Sequence, residues 1–150
     1  MASQYITFMI IFILGLNLVI ITNVMFLTLS DQFRQNIAEV EMDNILNLIQ
    51  RQIQQTILLP TDNNHMIEQQ LELPTLIGEK SPYTIEIYNS TDNQIILHGF
   101  SSNGDINQIV IFSVAPKYII TTSESVFESV NSLLNLNIEK NGEFIIITIS

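Results

Sequence analysis

The feature that most constrains this chain is an uncharged apolar stretch at residues 1–30. It contains no Asp, Glu, Lys or Arg, and the first charged side chain is Asp31. Residues 5–29 are apolar apart from Gly, Thr and Asn, and a helix needs about 20 such residues to cross a bilayer. The stretch has no basic region before it and is longer than the apolar core of a signal peptide. We therefore predict an uncleaved transmembrane anchor over residues 1–30.

Two asparagines interrupt the anchor. A threonine hydroxyl can bond to the preceding helical turn, but an unpaired amide in hydrocarbon is costly. Asn17 and Asn23 are therefore expected to contact a partner helix or a wet crevice, unless they lie near a headgroup region. Only Arg34 stands near the end of the run, and taken alone it would place that end inside the cell.

No helix breaker separates the anchor from the segment that follows, because the first proline is Pro60. Within residues 31–59, apolar side chains recur at helical spacing and form one stripe along the helix. The stripe consists of Ala38, Met42, Ile45, Ile49, Ile53 and Ile57. We predict one helix from Tyr5 to Leu58, whose second half is an amphipathic stalk. The stripe must be buried on the chain's own head or in a coiled coil. Its drift from a strict heptad favours the head.

The remaining sequence predicts a β-rich head. Residues 60–80 are predicted to form a connecting loop, with one helical turn at 66–71, and residues 81–150 the head domain. Alternating and apolar runs predict strands over residues 83–88, 94–100, 106–114, 133–139 and 143–149, with an edge or a bend at Pro116 and a continuation over 117–121. Asn141-Gly142 predicts a hairpin between the last two.

The structure of two further segments of the head can be predicted less directly from alternation. Residues 122–132 predict a loop with a short strand or turn, or else a short helix capped by Ser123. The run at residues 144–147 has no polar side chain and predicts a central strand covered on both faces. Five or six short strands form a small antiparallel sandwich or sheet. The predicted fold class is α+β: a long N-terminal transmembrane and stalk helix, followed by a small antiparallel β-sandwich-like head.

Composition excludes several functions. The chain has 15 acidic and 5 basic side chains and a net charge of −10, which argues against nucleic acid as a partner. It has no cysteine, hence neither disulfides nor thiolate metal sites. His65 and His98 lie far apart and are predicted to be surface residues. No catalytic, cofactor or metal motif occurs, so we expect a non-enzymatic protein. Asn89-Ser90-Thr91 is a glycosylation sequon, relevant if the head is extracytoplasmic.

An apolar helix that continues into an amphipathic stalk and a β-rich head resembles the type IV pilin plan. The segments LPTLIG at 73–78 and YTIEI at 83–87 are similar to the start of the head in archaeal pilin-like membrane proteins. The opening Met1-Ala2-Ser3 is similar to the archaellum accessory proteins F and G. This resemblance implies an immunoglobulin-like sandwich outside the cytoplasmic membrane, opposite to the Arg34 signal. It also implies S-layer or archaellum proteins as partners.

Pilins and archaellins have a charged leader, a glycine-containing cleavage site and an early glutamate, which residues 1–30 do not show. This difference favours an accessory role. We predict a single-pass, pilin-like structural or accessory subunit of an extracellular filament or cell envelope, of archaellum or pilus type. The alternative is a membrane-tethered ligand-binding or adhesion module. The expected partners are the lipid bilayer, other membrane helices, filament or S-layer proteins, and a second copy of the chain.

Overall fold

The computed structural model describes residues 2–59, 65–90, 94–114, 119–122 and 125–150. They form one helix and two four-stranded sheets, which confirms the α+β class. The elements are α1 (Ala2–Leu58), β1 (His65–Glu72), β2 (Tyr83–Asn89), β3 (Gln94–Ser101), β4 (Asn107–Ser113), β5 (Ile119–Thr122), β6 (Ser125–Glu128), β7 (Leu133–Asn141) and β8 (Phe144–Ile149). The chain divides into two compact units, Met1–Arg34 and Gln35–Ser150, called here the helical unit and the head unit.

Helix α1 is continuous across the predicted anchor and stalk, as the absence of proline and of internal glycine after Gly15 predicts. It contains a window with a mean hydropathy of 2.5, none of which is buried. By length and composition this helix could span a membrane.

In the head unit, α1 contributes the predicted stripe to the core. All six residues of that stripe are buried, together with Leu46 and Thr56. The six stripe residues and Leu46 belong to one hydrophobic cluster with the inward-facing residues of both sheets. The prediction that the stripe packs on the chain's own head is therefore confirmed, and a coiled coil along this stripe is excluded.

The strand orders are β1-β7-β8-β5 and β4-β3-β2-β6. Neighbouring strands are antiparallel except for β5 and β8, which run parallel. The prediction of a purely antiparallel head was wrong at this pair. After β5 the chain forms β6 in the other sheet and returns through the β7–β8 hairpin, so β8 reaches β5 in the same direction.

Residues 65–72 form strand β1. The prediction of a loop with one helical turn was therefore wrong here. These residues pair with β7 along the whole strand, from His65 opposite Lys140 to Glu72 opposite Leu133. Only Ile67, Gln69 and Leu71 are half-buried. An edge strand with a single half-buried face needs few apolar residues, so its alternation was hidden among Glu and Gln.

The other strand predictions hold with small shifts at the ends, and residues 125–132 form the short strand β6 and a turn rather than a helix. The helix cap expected at Ser123 lies outside the described residues. Strand β8 is central in its sheet, between β7 and β5. It is covered on one face only, because Phe144 is 51% exposed and Ile146 half-buried. The expected edge or bend at Pro116 lies outside the described residues.

Long-range polar contacts attach the head to the helix. The Lys140 ammonium of β7 is buried and donates to the carbonyl oxygens of Ile57 (2.8 Å) and Leu59 (3.0 Å). It thereby supplies the positive charge that a helix C-terminus favours, and α1 has no basic residue in its own last turn. Glu41 accepts a hydrogen bond from the Gly78 amide at 2.7 Å, which fixes the loop before β2.

Candidate functional site

The largest candidate surface is the apolar helical unit. Exposed fractions of its large apolar side chains between Tyr5 and Leu29 range from 52% at Ile20 to 74% at Tyr5. Each Å² of apolar surface left in water costs about 25 cal/mol relative to burial. A surface of this kind fits a lipid or protein environment.

Asn17 and Asn23 both lie on this surface, and each donates to a carbonyl four residues earlier. The Asn17 amide nitrogen is 2.8 Å from the Ile13 oxygen, and that of Asn23 is 2.9 Å from the Val19 oxygen. The threonines do the same, so the expected contrast between amide and hydroxyl was too strong. The amide oxygens still have no donor among the described residues and remain available to a partner helix.

The two asparagines do not share one face. A helix turns by about 100° per residue, so six residues separate Asn17 and Asn23 by about 120°. One neighbouring helix can contact one of them, and a second neighbour is needed for the other.

The head unit exposes a second apolar surface on α1, which the sequence analysis missed. Ile37, Val40 and Leu48 are 51%, 60% and 43% exposed. Their spacing of three and eight residues places them on one face, opposite the buried stripe. This face continues into a shallow polar cleft of about 320 Å³ lined by Asn44, Asn47, Leu48, Arg51, Gln52 and Gln55. The missed signal was a second set of helically spaced apolar residues on the face opposite the first.

A polar cluster lies on the outer face of sheet β4-β3-β2-β6. His98 Nδ1 is 3.4 Å from a Glu86 carboxylate oxygen, and His98 Nε2 is 2.8 Å from the Asn107 amide oxygen. The Phe100 ring centroid is 5.0 Å from that of His98, and the cluster lines an open cleft of about 420 Å³. Because both neighbours of the ring are oxygens, a protonated imidazole donates to both.

The histidines occupy positions close to those predicted. His65 is exposed at the start of β1, as expected. His98 lies in the middle of β3 and is half-buried rather than fully at the surface. Among the described residues no three His, Asp or Glu side chains are grouped to hold a metal ion.

Asn89 is exposed at the end of β2, where the β2–β3 hairpin begins. Exposure of this kind is what enzymatic glycosylation of a sequon requires. The third residue of the sequon, Thr91, lies outside the described residues.

Comparisons with protein-family models, curated proteins and solved structures find no match to this chain. The described features define an α+β protein in which one helix, long and apolar enough to span a membrane, also supplies part of the core of a two-sheet head.

Proposed function

We propose that this chain is a single-pass, membrane-anchored structural subunit, of pilin-like plan, of an extracellular filament or cell envelope. It acts as an accessory component of an archaellum- or pilus-type assembly and catalyses no reaction. The observation that carries the proposal is the exposed apolar surface of α1 between Tyr5 and Leu29, on a helix whose later residues are buried in the head.

The second apolar surface of α1 supports a role in assembly. Ile37 and Val40 are exposed although they belong to the same helix as the buried stripe. Apolar side chains at this spacing are typical of helices that pack on a neighbouring helix. The proposed neighbours are helices of other envelope or filament subunits.

Site-specific crosslinking in native membranes tests this proposal, because the chain has no cysteine of its own. Val40→Cys carries a photoactivatable crosslinker on the second apolar surface. Val130→Cys, in the exposed turn after β6, is the matched control. We expect Val40→Cys to recover defined membrane or filament proteins that the control does not. Equal products from both positions would contradict an assembly role for this surface.

Asn17 and Asn23 are proposed contact residues of the anchor. Because they lie about 120° apart, Asn17→Leu and Asn23→Leu are tested separately for association in membranes by energy transfer between labelled copies. At least one is expected to weaken association. Thr22→Leu is the control, because it removes a polar side chain that makes the same bond to the preceding turn but carries no amide oxygen. Unchanged association in both variants removes the amide contact from the proposal.

The proposed topology places the head outside the cytoplasmic membrane. Protease added to intact cells is expected to digest the head, and Asn89 is then available to glycosylating enzymes. Digestion only after lysis would show that the head is cytoplasmic and would exclude the proposed external assembly.

A second candidate function, a membrane-tethered binding module, is favoured by the cleft at Glu86, His98 and Asn107. Asn107→Cys places a thiol in this cleft, and Ser113→Cys places one at the other end of β4. A ligand held in the cleft would slow maleimide labelling of Asn107→Cys in intact cells relative to purified protein, and leave Ser113→Cys unchanged. Equal labelling in both settings argues against this second function.

A further inference from the structure

The two sheets have four edges, and three of them show features that discourage pairing with another strand. Strand β1 carries Glu68 and Glu72 as exposed charges. Strands β5 and β6 are four residues long. Strand β4 has seven residues, Asn-Gln-Ile-Val-Ile-Phe-Ser, with neither charge nor proline. Among the described edges, β4 alone is both long and uncharged.

The backbone groups on the free side of β4 can be assigned. The Ser101 amide donates to the Ile106 carbonyl at 3.0 Å, and these two residues continue the β3–β4 register in which Phe100 lies opposite Asn107. Hydrogen-bonded pairs alternate along an antiparallel ladder. Even-numbered residues of β4 therefore bond to β3. The N–H and C=O groups that point to the free side belong to Asn107, Ile109, Ile111 and Ser113.

The side chains of the same edge are also exposed. Ile109 is 53% and Ile111 57% exposed, on the outer face of the sheet. Within the described part of the chain, β4 pairs with β3 alone. Unpaired backbone groups beside exposed isoleucines are the features of a strand that accepts another strand.

We propose that β4 pairs edge to edge and antiparallel with β4 of a second copy of this chain, about a two-fold axis at Val110. This register places Ile109 opposite Ile111 of the second copy, and Asn107 opposite Ser113. It pairs odd-numbered residues with odd-numbered residues, so every outward N–H and C=O of the edge finds a partner. The β4-β3-β2-β6 sheet of one copy and the same sheet of the second copy then form one continuous sheet.

Self-complementarity identifies the occupant as a second copy. The strand has isoleucines on both sides of Val110 and small polar residues at both ends, as a two-fold contact requires. The chain has a net charge of −10, so two copies repel each other in general. Residues 107–113 carry none of that charge, and like charges therefore do not meet across the paired strands.

Edge pairing of seven residues buries less than the roughly 1,200–2,000 Å² of a standard stable interface. The dimer is therefore weak in dilute solution and is favoured at high local concentration. The inference concerns the head unit and does not rest on the proposed membrane function.

A charge-pattern experiment tests the partner and the register together, using the full chain in detergent and analytical ultracentrifugation. In this register Ile109→Lys/Ile111→Lys places lysine opposite lysine twice. Ile109→Lys/Ile111→Glu places lysine opposite glutamate twice. We expect the dissociation constant of the dimer to rise roughly tenfold or more in the first variant and to stay near that of the parent in the second.

Val126→Lys is the matched control, because Val126 is 52% exposed on the opposite edge of the same sheet, and it should leave dimerisation unchanged. Val110→Cys adds a second measurement, because its Cα atoms would lie about 4.5 Å apart across the axis, within disulfide range. A disulfide dimer is expected for Val110→Cys and not for Val126→Cys. A monomeric parent chain, or equal loss of the dimer in both charge variants, would overturn the proposal.

Discussion

Tyr83 lies at the start of β2 with 1% of its surface exposed. Its hydroxyl donates to the Pro74 carbonyl oxygen at 2.6 Å. Burial raises the pKa of Tyr83 from its ordinary value of 10.0 to about 12, because the phenolate would be desolvated. The residue therefore holds the loop before β2 only as long as it is neutral.

The hydroxyl of Tyr83 is expected to stabilise the fold in a pH-dependent way. Between pH 10 and pH 12 the unfolded chain releases this proton and the folded chain retains it, so stability falls as pH rises. Tyr83→Phe should cost about 1 kcal/mol at neutral pH, and the difference from the parent should shrink above pH 10. Urea unfolding of both proteins from pH 8 to 11.5 measures this difference in the free energy of unfolding. Tyr88→Phe keeps Tyr83 and should retain the fall with pH; a constant difference for Tyr83→Phe would contradict the assignment.

At Gly99, strand β3 lies directly against α1. A Cβ atom there would overlap the sulfur of Met42 and lie 3.3 Å from Leu46 Cδ2. We expect Gly99→Ala to destabilise the head by about 1–3 kcal/mol through overpacking. A double-mutant cycle with Met42→Ala, measured by thermal unfolding, should show coupling, because the shortened side chain leaves room for the added methyl group. Strict additivity of the two substitutions would show that the contact carries no strain.

At the residue scale the sequence predicted which residues lie outside and inside better than it predicted contacts. Spacing alone placed Met42 in the core, because helical periodicity is local. Nothing in the neighbouring sequence indicates why position 99 is glycine, because the side chain that leaves no room for a Cβ atom belongs to another element. The grouping of His98 with Glu86 and Asn107 also depends on the strand register, which a single sequence does not specify.

Helix α1 and strand β7 are joined by the contacts of Lys140, which occupies the last inward position of its strand. Lys140→Met keeps the apolar stem but removes the ammonium from the Ile57 and Leu59 carbonyls. We expect a loss of about 1.5–3 kcal/mol and faster amide hydrogen exchange in the last turn of α1. Lys80→Met, at an exposed position, is the control and should change neither; equal exchange rates in the two variants would exclude a capping role.

At the scale of elements, the sequence predicted those with a strong periodic pattern. The continuous helix and strands β2, β3, β4, β7 and β8 followed from spacing and turn residues. Strand β1 could not be predicted in this way, because its Gln and Glu residues lie at an edge and pair with β7 through the backbone. The parallel pairing of β5 with β8 arises from the path of the chain between the two sheets.

The head unit as a whole has one core that includes residues 38–57 of α1. Cleavage between Leu59 and His65 is therefore expected to leave the two fragments associated, because buried apolar contacts and the Lys140 hydrogen bonds join them. A protease site inserted there should give two bands on a denaturing gel and one species by size-exclusion chromatography. A site inserted between Arg34 and Gln35 is the comparison and should release the head unit. Separation of the fragments in the first case would contradict a shared core.

At the scale of the whole molecule, the order of an apolar helix, an amphipathic helix and a β-rich head was predictable from composition and period. The assignment of each strand to one of the two sheets was not, because sheet membership depends on non-local pairing. The sequence favoured packing of the stalk on the head, and the helix from Gln35 onward lies in one compact unit with the strands.

The burial of α1 in the head also determines how the protein bears mechanical load. A force applied at Gln35, the first residue of the head unit, acts on a helix that contributes to the core. It acts first on Ala38 and Met42, at the beginning of the buried stripe, and the carbonyls held by Lys140 lie at the far end of that stripe. Pulling the helix out of the head would expose the apolar core, so extraction requires the head to unfold.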